Sequence, residues 1–199
     1  MISWDKIVSL YFETKRLFIE CETINSEIYP NLQPLNEFRA TLDHLMRVIA
    51  CKNDSKLNID IEKEMIDIYA HLFRAYKDVS YLLILSYRNK IIKCLKKYST
   101  KSICSAIPDY FYIKRNINDI TNRLNELRSY RENIDFDKDI EDLNVIISEM
   151  RRYYHLIDEA EEALTKVQND SKVRKAVQIL LPIGIGVIGI ILGIIGFII

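Results

Sequence analysis

A chain of 199 residues with 28 basic and 28 acidic side chains has room for one or two small folded units and carries no formal net charge. With Lys172, Arg174 and Lys175 set aside, 25 basic residues face 28 acidic ones, a balance that argues against a protein coated with nucleic acid. The four cysteines are widely spaced and include no Cys-x-x-Cys pair, so we expect buried, reduced thiols and no metal cluster.

The scarcity of helix breakers predicts an all-α protein. The first 183 residues contain no glycine, and the only prolines before the last stretch of the chain are Pro30, Pro34 and Pro108. Glycine and proline are the residues that most often interrupt regular structure, so this composition favours long helices over strands and hairpins.

A proline-containing turn at residues 29–34 separates the first two predicted helices. The first helix begins at Ser3, a suitable N-cap, and runs to about Ile28; the second runs from about Leu35 to Ala50. The apolar positions of the first are Trp4, Ile7, Val8, Tyr11, Phe18, Cys21 and Ile28. The second has an apolar face made of Leu35, Phe38, Leu42, Leu45, Met46 and Ile49.

The third predicted helix is the longest and extends from about Ile59 to Tyr98. Its apolar residues step by four and three positions, which is a heptad seam: Ile61, Met65, Ile68, Leu72, Ala75, Val79 and Leu82. Residues 99–108 are predicted to break the helix, and Asp109 is a suitable cap for the next one.

A second pair of helices follows, and its apolar residues also follow heptads. They lie at Ile113, Ile117, Ile120, Leu124, Leu127 and Ile134, and again at Ile140, Leu143, Ile147, Met150, Tyr154, Ile157 and Leu164. Two heptad helices joined by a short polar turn predict an antiparallel hairpin. The expected organisation is a helical bundle at 1–100, a hairpin at 101–171 and a basic flank with a membrane anchor at 172–199.

The last stretch of the sequence is a predicted transmembrane helix. From Val177 to Ile199 it has no charge and one polar side chain, Gln178. As a helix, this stretch is about 34 Å long, enough to cross a hydrocarbon core of roughly 30 Å. The opening residues do not resemble a secretory signal, and the basic residues just before the span predict that the N-terminal part lies in the cytoplasm.

The span carries a stripe of small residues that predicts self-association. Gly186, Gly189, Gly193 and Gly196 fall on one face of the helix, four residues after Pro182. Transmembrane helices associate by close backbone approach at such faces, so we expect a homo-oligomer. A single anchor with incidental glycines is the alternative.

One polar pattern occurs twice in the bundle. Glu-x6-His-Leu-x-Arg is formed by Glu37, His44 and Arg47 and again by Glu64, His71 and Arg74. The three positions of each copy share one side of a helix. If the two helices pack antiparallel, the histidines approach each other and each meets charged groups of the other helix.

Three interpretations of this pattern remain open. The first is a buried polar layer in which glutamate and arginine supply each other's partners. The second is a site in which histidine acts as acid or base and arginine holds an anion. The third, a metal site at Asp67 and His71, lacks a complete ligand set, so no metal is predicted.

Arg39 and His44 also resemble a family signature. Arg, four residues and then His is similar to the Arg-x4–6-His motif of HEPN domains, small all-helical domains frequent in prokaryotic toxins and antiviral systems. Over roughly residues 3–100 the resemblance implies a metal-independent ribonuclease whose site forms across a dimer, with Arg39 and His44 facing the RNA phosphate. With a membrane span, such a domain resembles the small membrane accessory proteins of type VI CRISPR systems, which implies an oligomeric pore more than an enzyme.

A basic stretch without acidic residues extends from Val79 to Pro108. Its cations include Arg88, Lys90, Lys93, Lys96 and Lys97. An ordinary solvated surface is one interpretation; contact with anionic lipid or RNA, or with the acidic hairpin of a neighbouring subunit, are the others.

Taken together, these patterns favour an oligomeric, membrane-associated effector or accessory protein of a prokaryotic defence or toxin system. The alternatives are a membrane-tethered, HEPN-like ribonuclease and a non-enzymatic coiled-coil tether. The expected partners are the membrane and further copies of the chain, with RNA or an effector protein left open. No cofactor and no small-molecule substrate are indicated.

Overall fold

The computed structural model describes residues 2–24, 32–54, 57–128, 135–175 and 178. These residues form helices and connecting turns and contain no strand, which confirms the all-α fold class. The helices are α1 (Trp4–Ile24), α2 (Leu32–Asn53), α3 (Ile61–Leu95), α4 (Thr100–Ala106), α5 (Tyr110–Arg128) and α6 (Phe136–Glu159), and residues 161–175 are helical again.

The long helix α3 is the centre of the fold. Its 35 residues span about 52 Å, and α1, α2 and α6 all pack against it. Asp60 caps its start by accepting a hydrogen bond from the Lys63 backbone N–H at 3.1 Å. Leu72, Val79 and Leu83 are almost completely buried, as expected for a helix covered by three others.

Cross-helix contacts define the direction of each helix. Lys6 pairs with Asp137 at 2.7 Å and Glu20 with Arg151 at 2.8 Å, so α1 and α6 run parallel. Residues 69 and 98 of the α3 region bond to residues 137 and 165 respectively, so α3 runs the same way. By contrast, α2 runs antiparallel to α3, because its residues 37 and 44 contact residues 71 and 64.

Helix α5 lies antiparallel against α6. Arg123 contacts Glu149 at 3.0 Å, and Asn116 donates a hydrogen bond to the Tyr153 hydroxyl at 2.8 Å. Of the turn predicted at residues 133–137, residues 133 and 134 lie outside the described residues, whereas Asp135 is the N-cap of α6 and the next two residues are already helical. Buried residues on both sides of position 100 belong to one continuous apolar cluster, from Ile7 to Leu164. The division into units at 1–100 and 101–171 stays a prediction.

Two of the differences between the predicted and observed helix boundaries have a local cause. Helix α2 begins at Leu32 instead of Leu35, because Pro34 falls in its first turn, where a missing backbone N–H is tolerated. The predicted break at residues 99–108 is wrong in part: α4 forms there, with the Ser99 hydroxyl accepting a hydrogen bond from the Ser102 backbone N–H at 3.1 Å.

The apolar sides of α1 and α2 are largely exposed. In α2, only Pro34 and Val48 are buried, whereas most of the predicted apolar face is in contact with solvent. In α1, the buried residues Ile7, Leu10, Thr14 and Leu17 leave Val8, Tyr11 and Phe12 outside. We call the exposed set the α1–α2 face: Trp4, Val8, Tyr11, Phe12, Ile19, Leu32, Leu35, Leu42, Met46 and Ile49.

No helix among the described residues is long and apolar enough to cross a membrane. Apart from Gln178, the predicted span at 176–199 lies outside those residues, together with Pro182 and the glycine stripe at Gly186, Gly189, Gly193 and Gly196.

Candidate functional site

The repeated motif forms one polar layer between α2 and α3. We call its six members the histidine layer: Glu37, His44, Arg47, Glu64, His71 and Arg74. The two imidazole rings lie face to face with their centroids 5.2 Å apart and their planes tilted by 31°. The predicted approach of the two histidines is therefore present in the structure.

Each histidine binds the glutamate of the opposite helix. His44 Nδ1 lies 2.7 Å from Glu64 Oε2, and His71 Nδ1 lies 2.8 Å from Glu37 Oε2. Each arginine also pairs with the glutamate of the opposite helix. Arg74 Nε donates a hydrogen bond to Glu37 at 2.9 Å, and Arg47 lies 3.7 Å from Glu64. The layer is thus pseudo-symmetric: each helix supplies one glutamate, one histidine and one arginine.

The sequence spacing explains this geometry. Residues at i, i+7 and i+10 fall within about 80° of arc on a helix. When two such helices pack antiparallel, the glutamate at the start of one motif meets the histidine and arginine further along the other. The sequence repeat therefore becomes a reciprocal set of ion pairs.

The proton on His71 is assigned by its neighbours. His71 Nδ1 lies 2.8 Å from a Glu37 oxygen and also 2.8 Å from Arg74 Nη2, and it cannot donate to one and accept from the other at once. Arg74 already donates to Glu37 through Nε. We therefore place a proton on Nδ1, where it bonds to the carboxylate of Glu37.

Glu37 is held in its charged form. Burial acts to raise the pKa of this carboxyl, but the hydrogen bonds from His71 and Arg74 outweigh burial, and the pKa is lowered from its ordinary value. Both carboxylates are well covered, at 15% exposure for Glu37 and 13% for Glu64, whereas the arginines are about half exposed. The layer thus has a covered acidic interior and two cations at its open edge.

Arg39, the other half of the HEPN-like motif, lies away from the layer. Residues 39 and 44 are about 140° apart around the axis of α2. Arg39 is exposed, at the border of the α1–α2 face, whereas His44 points towards α3. The structure brings His44 next to His71 and does not bring it next to Arg39 within the same chain.

Comparison with other proteins does not distinguish between the interpretations of the repeated motif. None of the protein-family models, curated proteins or solved structures matches this chain. The histidine layer and the other clusters of the described residues must therefore be interpreted from their own chemistry. In those residues, no group of three His, Cys, Asp or Glu side chains is arranged to hold a metal ion.

A second polar cluster joins α1, α3 and α6. Arg151 donates two hydrogen bonds to the Glu20 carboxylate, both at 2.8 Å, and the Tyr87 hydroxyl donates a third. Burial acts to raise the pKa of Glu20, but the bonds from Arg151 and Tyr87 prevail and lower it. No sequence pattern predicted this cluster, because Glu20 and Arg151 are 131 positions apart and leave no local signal.

The basic stretch is divided between two surroundings. Lys97 forms an ion pair with Glu161 at 2.7 Å, so part of the stretch faces the acidic part of its own chain. Lys90 and Lys93 border the same shallow pocket as Glu161. In contrast, Arg88 and Lys96 line a separate pocket of about 340 Å³ between α3, α4 and α5.

An apolar groove lies between α1 and α2 and was not predicted. It has a volume of about 720 Å³, and Ile68 and Leu72 of α3 line it as well. Tyr11 and Phe38 meet edge to face across it, with ring centroids 6.0 Å apart. The groove exists because α1 and α2 each pack on α3 more than on each other.

The cysteines are free in the structure, as predicted, but half-buried instead of fully buried. Burial raises the pKa of the Cys21 thiol, and it does the same for Cys94. A raised pKa keeps these thiols protonated and poorly nucleophilic at neutral pH, which argues against a role in catalysis.

Proposed function

We propose that this protein is an oligomeric, membrane-associated effector or accessory protein of a prokaryotic defence or toxin system, and that it acts through membrane and protein contacts. The observation that carries the proposal is the sequence of residues 177–199, an uncharged span with a glycine stripe. In this proposal, the helical body at 1–175 lies in the cytoplasm and the tail helices assemble within the membrane.

The arrangement of the body supports this proposal. Helices α3 and α6 run in the same direction, and residues 161–175 continue along the end of α3 towards the tail. The basic residues Lys172, Arg174 and Lys175 then precede the span, where cations favour anionic lipid headgroups. The proposal includes a heptad hairpin formed by α5 and α6, whose antiparallel contacts are described above.

Deletion of residues 176–199 is expected to release the protein from membranes. The span contributes about 20 apolar residues, so the membrane-bound fraction should fall at least about 100-fold in a flotation assay with lipid vesicles. Growth arrest or dye leakage caused by the intact protein should disappear with the tail. Arrest or leakage that persists without the tail would count against the proposal.

A matched variant separates anchoring from assembly. Gly189→Leu together with Gly193→Leu keeps the span apolar but fills the stripe with side chains. This variant should still float with vesicles and should lose the tail-mediated association. A simple tether predicts that the intact protein and the glycine variant both float with vesicles, and that no form of the protein causes growth arrest or dye leakage.

The histidine layer supports a second candidate function, a metal-independent ribonuclease. Two imidazoles with centroids 5.2 Å apart can share the work of acid and base: one accepts the proton of the ribose 2′-hydroxyl, and the other donates a proton to the leaving 5′-oxygen. Arg47 and Arg74, half exposed beside the rings, are placed to hold the phosphate. The carboxylates orient the rings through Nδ1.

Purified protein and variants can test this activity on single-stranded RNA. If the layer is the site, His44→Gln and His71→Gln should each lower the cleavage rate by about 10²–10⁴-fold, whereas Arg39→Gln should leave it unchanged. If the HEPN-like motif is the site, Arg39→Gln should abolish cleavage and His71→Gln should not. RNA left uncut by the unchanged protein would rule out both forms of the candidate.

A further inference from the structure

The α1–α2 face exposes more apolar surface than a monomer ordinarily does. Its ten side chains are between 36% and 65% exposed. With ordinary side-chain areas, this amounts to on the order of 1,000 Å² of apolar surface. The largest apolar patch on a typical monomer is about 300–600 Å², so this face is expected to be covered in the working protein.

The shape of the face suits a protein partner. Phe12 of α1 and Leu42 of α2 line the groove between the two helices and are more than half exposed, so the groove presents apolar side chains that a partner can contact. From Trp4 to Phe18 the groove extends about 21 Å along α1. Each partner of a standard protein interface buries about 800 Å², which this one face can supply.

Charges of both signs border the face. Lys15 lines the groove, Arg39 lies at the edge of the apolar stripe of α2, and Asp43 lies beyond it. All three are exposed, and within the described part of the chain none of them forms an ion pair. In a two-fold contact the same patch faces itself, so a surface carrying both signs can pair with its own copy.

We propose that the α1–α2 face binds the same face of a second copy of this chain, forming a two-fold dimer of the helical bodies. This contact is separate from the tail and does not depend on whether the tail enters a membrane. The histidine layer is not part of this contact, because His44 and Glu37 lie on the side of α2 that faces α3.

The chain's own tail does not fit as the occupant. Tyr98, just after the end of α3, bonds to Thr165. The groove residue Leu72 lies 26 residues before Tyr98, about 39 Å along the helix. The tail starts eleven residues after position 165, so a helical tail would have to turn back along most of α3 before it met Leu72. A second copy needs no such path.

The test uses the full chain in mild detergent, with Gly189→Leu and Gly193→Leu present to remove the tail contact. Sedimentation velocity should show a dimer at micromolar concentration. Adding Phe12→Glu and Leu42→Glu should weaken the dimer at least 100-fold, because each copy then buries two carboxylates against apolar surface. Val145→Glu is the matched control: Val145 is also exposed, at 46%, but lies on α6, so the dimer should persist.

Several results would overturn the proposal. The proposal is wrong if the protein with an unchanged α1–α2 face sediments as a monomer. It is also wrong if the dimer persists with Phe12→Glu and Leu42→Glu. Loss of the dimer on deletion of residues 176–199, but not with the glycine variants, would identify a neighbouring tail as the occupant. Vesicle binding by the tail-deleted chain that requires Phe12 and Leu42 would identify lipid. Circular dichroism checks that each variant is folded. If the two glutamates prevent folding, Leu42→Ser alone is the milder change and should also weaken the dimer.

Discussion

Replacing Leu83 by alanine is expected to lower the free energy of unfolding by about 3–4 kcal/mol. Leu83 lies in the middle of α3 and has no exposed surface. Because α1 and α6 both pack on α3, the space left by the missing carbon atoms cannot be filled by the movement of one helix alone. The lost transfer free energy of the removed carbon atoms and the free-energy cost of the cavity therefore add to each other.

Ile66→Ala is the matched control for this change. It removes the same number of carbon atoms from the same helix, but Ile66 is 48% exposed. We expect a loss below about 1 kcal/mol, since little apolar surface returns to water. Urea titrations of both variants, followed by circular dichroism, measure the difference. Equal losses would show that α3 is not the buried centre of the fold.

Replacing Arg151 by methionine is expected to cost about 2–3 kcal/mol at pH 7. Its two hydrogen bonds to Glu20 are charge-assisted and tie α1 to α6. Without Arg151, the carboxylate stays partly buried and keeps only the Tyr87 hydroxyl and a contact from Arg16 at 3.3 Å. A partly buried carboxylate that loses its closest cation raises the free energy of the folded state.

The loss caused by Arg151→Met should depend on pH in a defined direction. Because the folded pKa of Glu20 is lowered, the ion pair stabilises the fold above the ordinary pKa of about 4.3, and this contribution disappears as pH falls through the folded value. The two unfolding curves should therefore converge as the pH falls below the ordinary value and through the lowered pKa of Glu20. A difference that stays constant from pH 7 to pH 3 would assign the effect to lost packing.

Arg123→Met provides the comparison for this second change. Arg123 pairs with Glu149 at 3.0 Å, but both side chains are about 40% exposed. An ion pair in contact with water contributes about 0–1 kcal/mol, so this variant should remain close to the unchanged protein at every pH.

Periodicity in the sequence predicted part of the buried face of α3 and most of the buried faces of α5 and α6. In α3, α5 and α6, the heptad positions predict residues that are almost completely buried, such as Val79, Leu124 and Met150. The histidine layer was also predictable, because two copies of one motif on antiparallel helices must meet in reverse order. In both cases the information is local: residues within a helix or a repeated spacing.

The α1–α2 face and the Glu20–Arg151 bonds were not predictable in the same way. An amphipathic face indicates that a helix has an apolar side, but it does not indicate whether that side meets α3, another chain or water. Likewise, Glu20 and Arg151 are 131 residues apart, and only the parallel packing of α1 and α6 brings them together. Helix α4 was missed because seven residues contain too few turns for a period to be seen.

The parallel course of α1, α3 and α6 affects how strongly the protein is attracted to anionic surfaces. Parallel helices place their carbonyl ends on the same side, and each helix C-terminus carries roughly half a negative charge. The lysines near the end of α3 therefore lie in a field that partly cancels them, in addition to the Lys97–Glu161 pair. The positive potential at that end is therefore smaller than the number of lysines suggests.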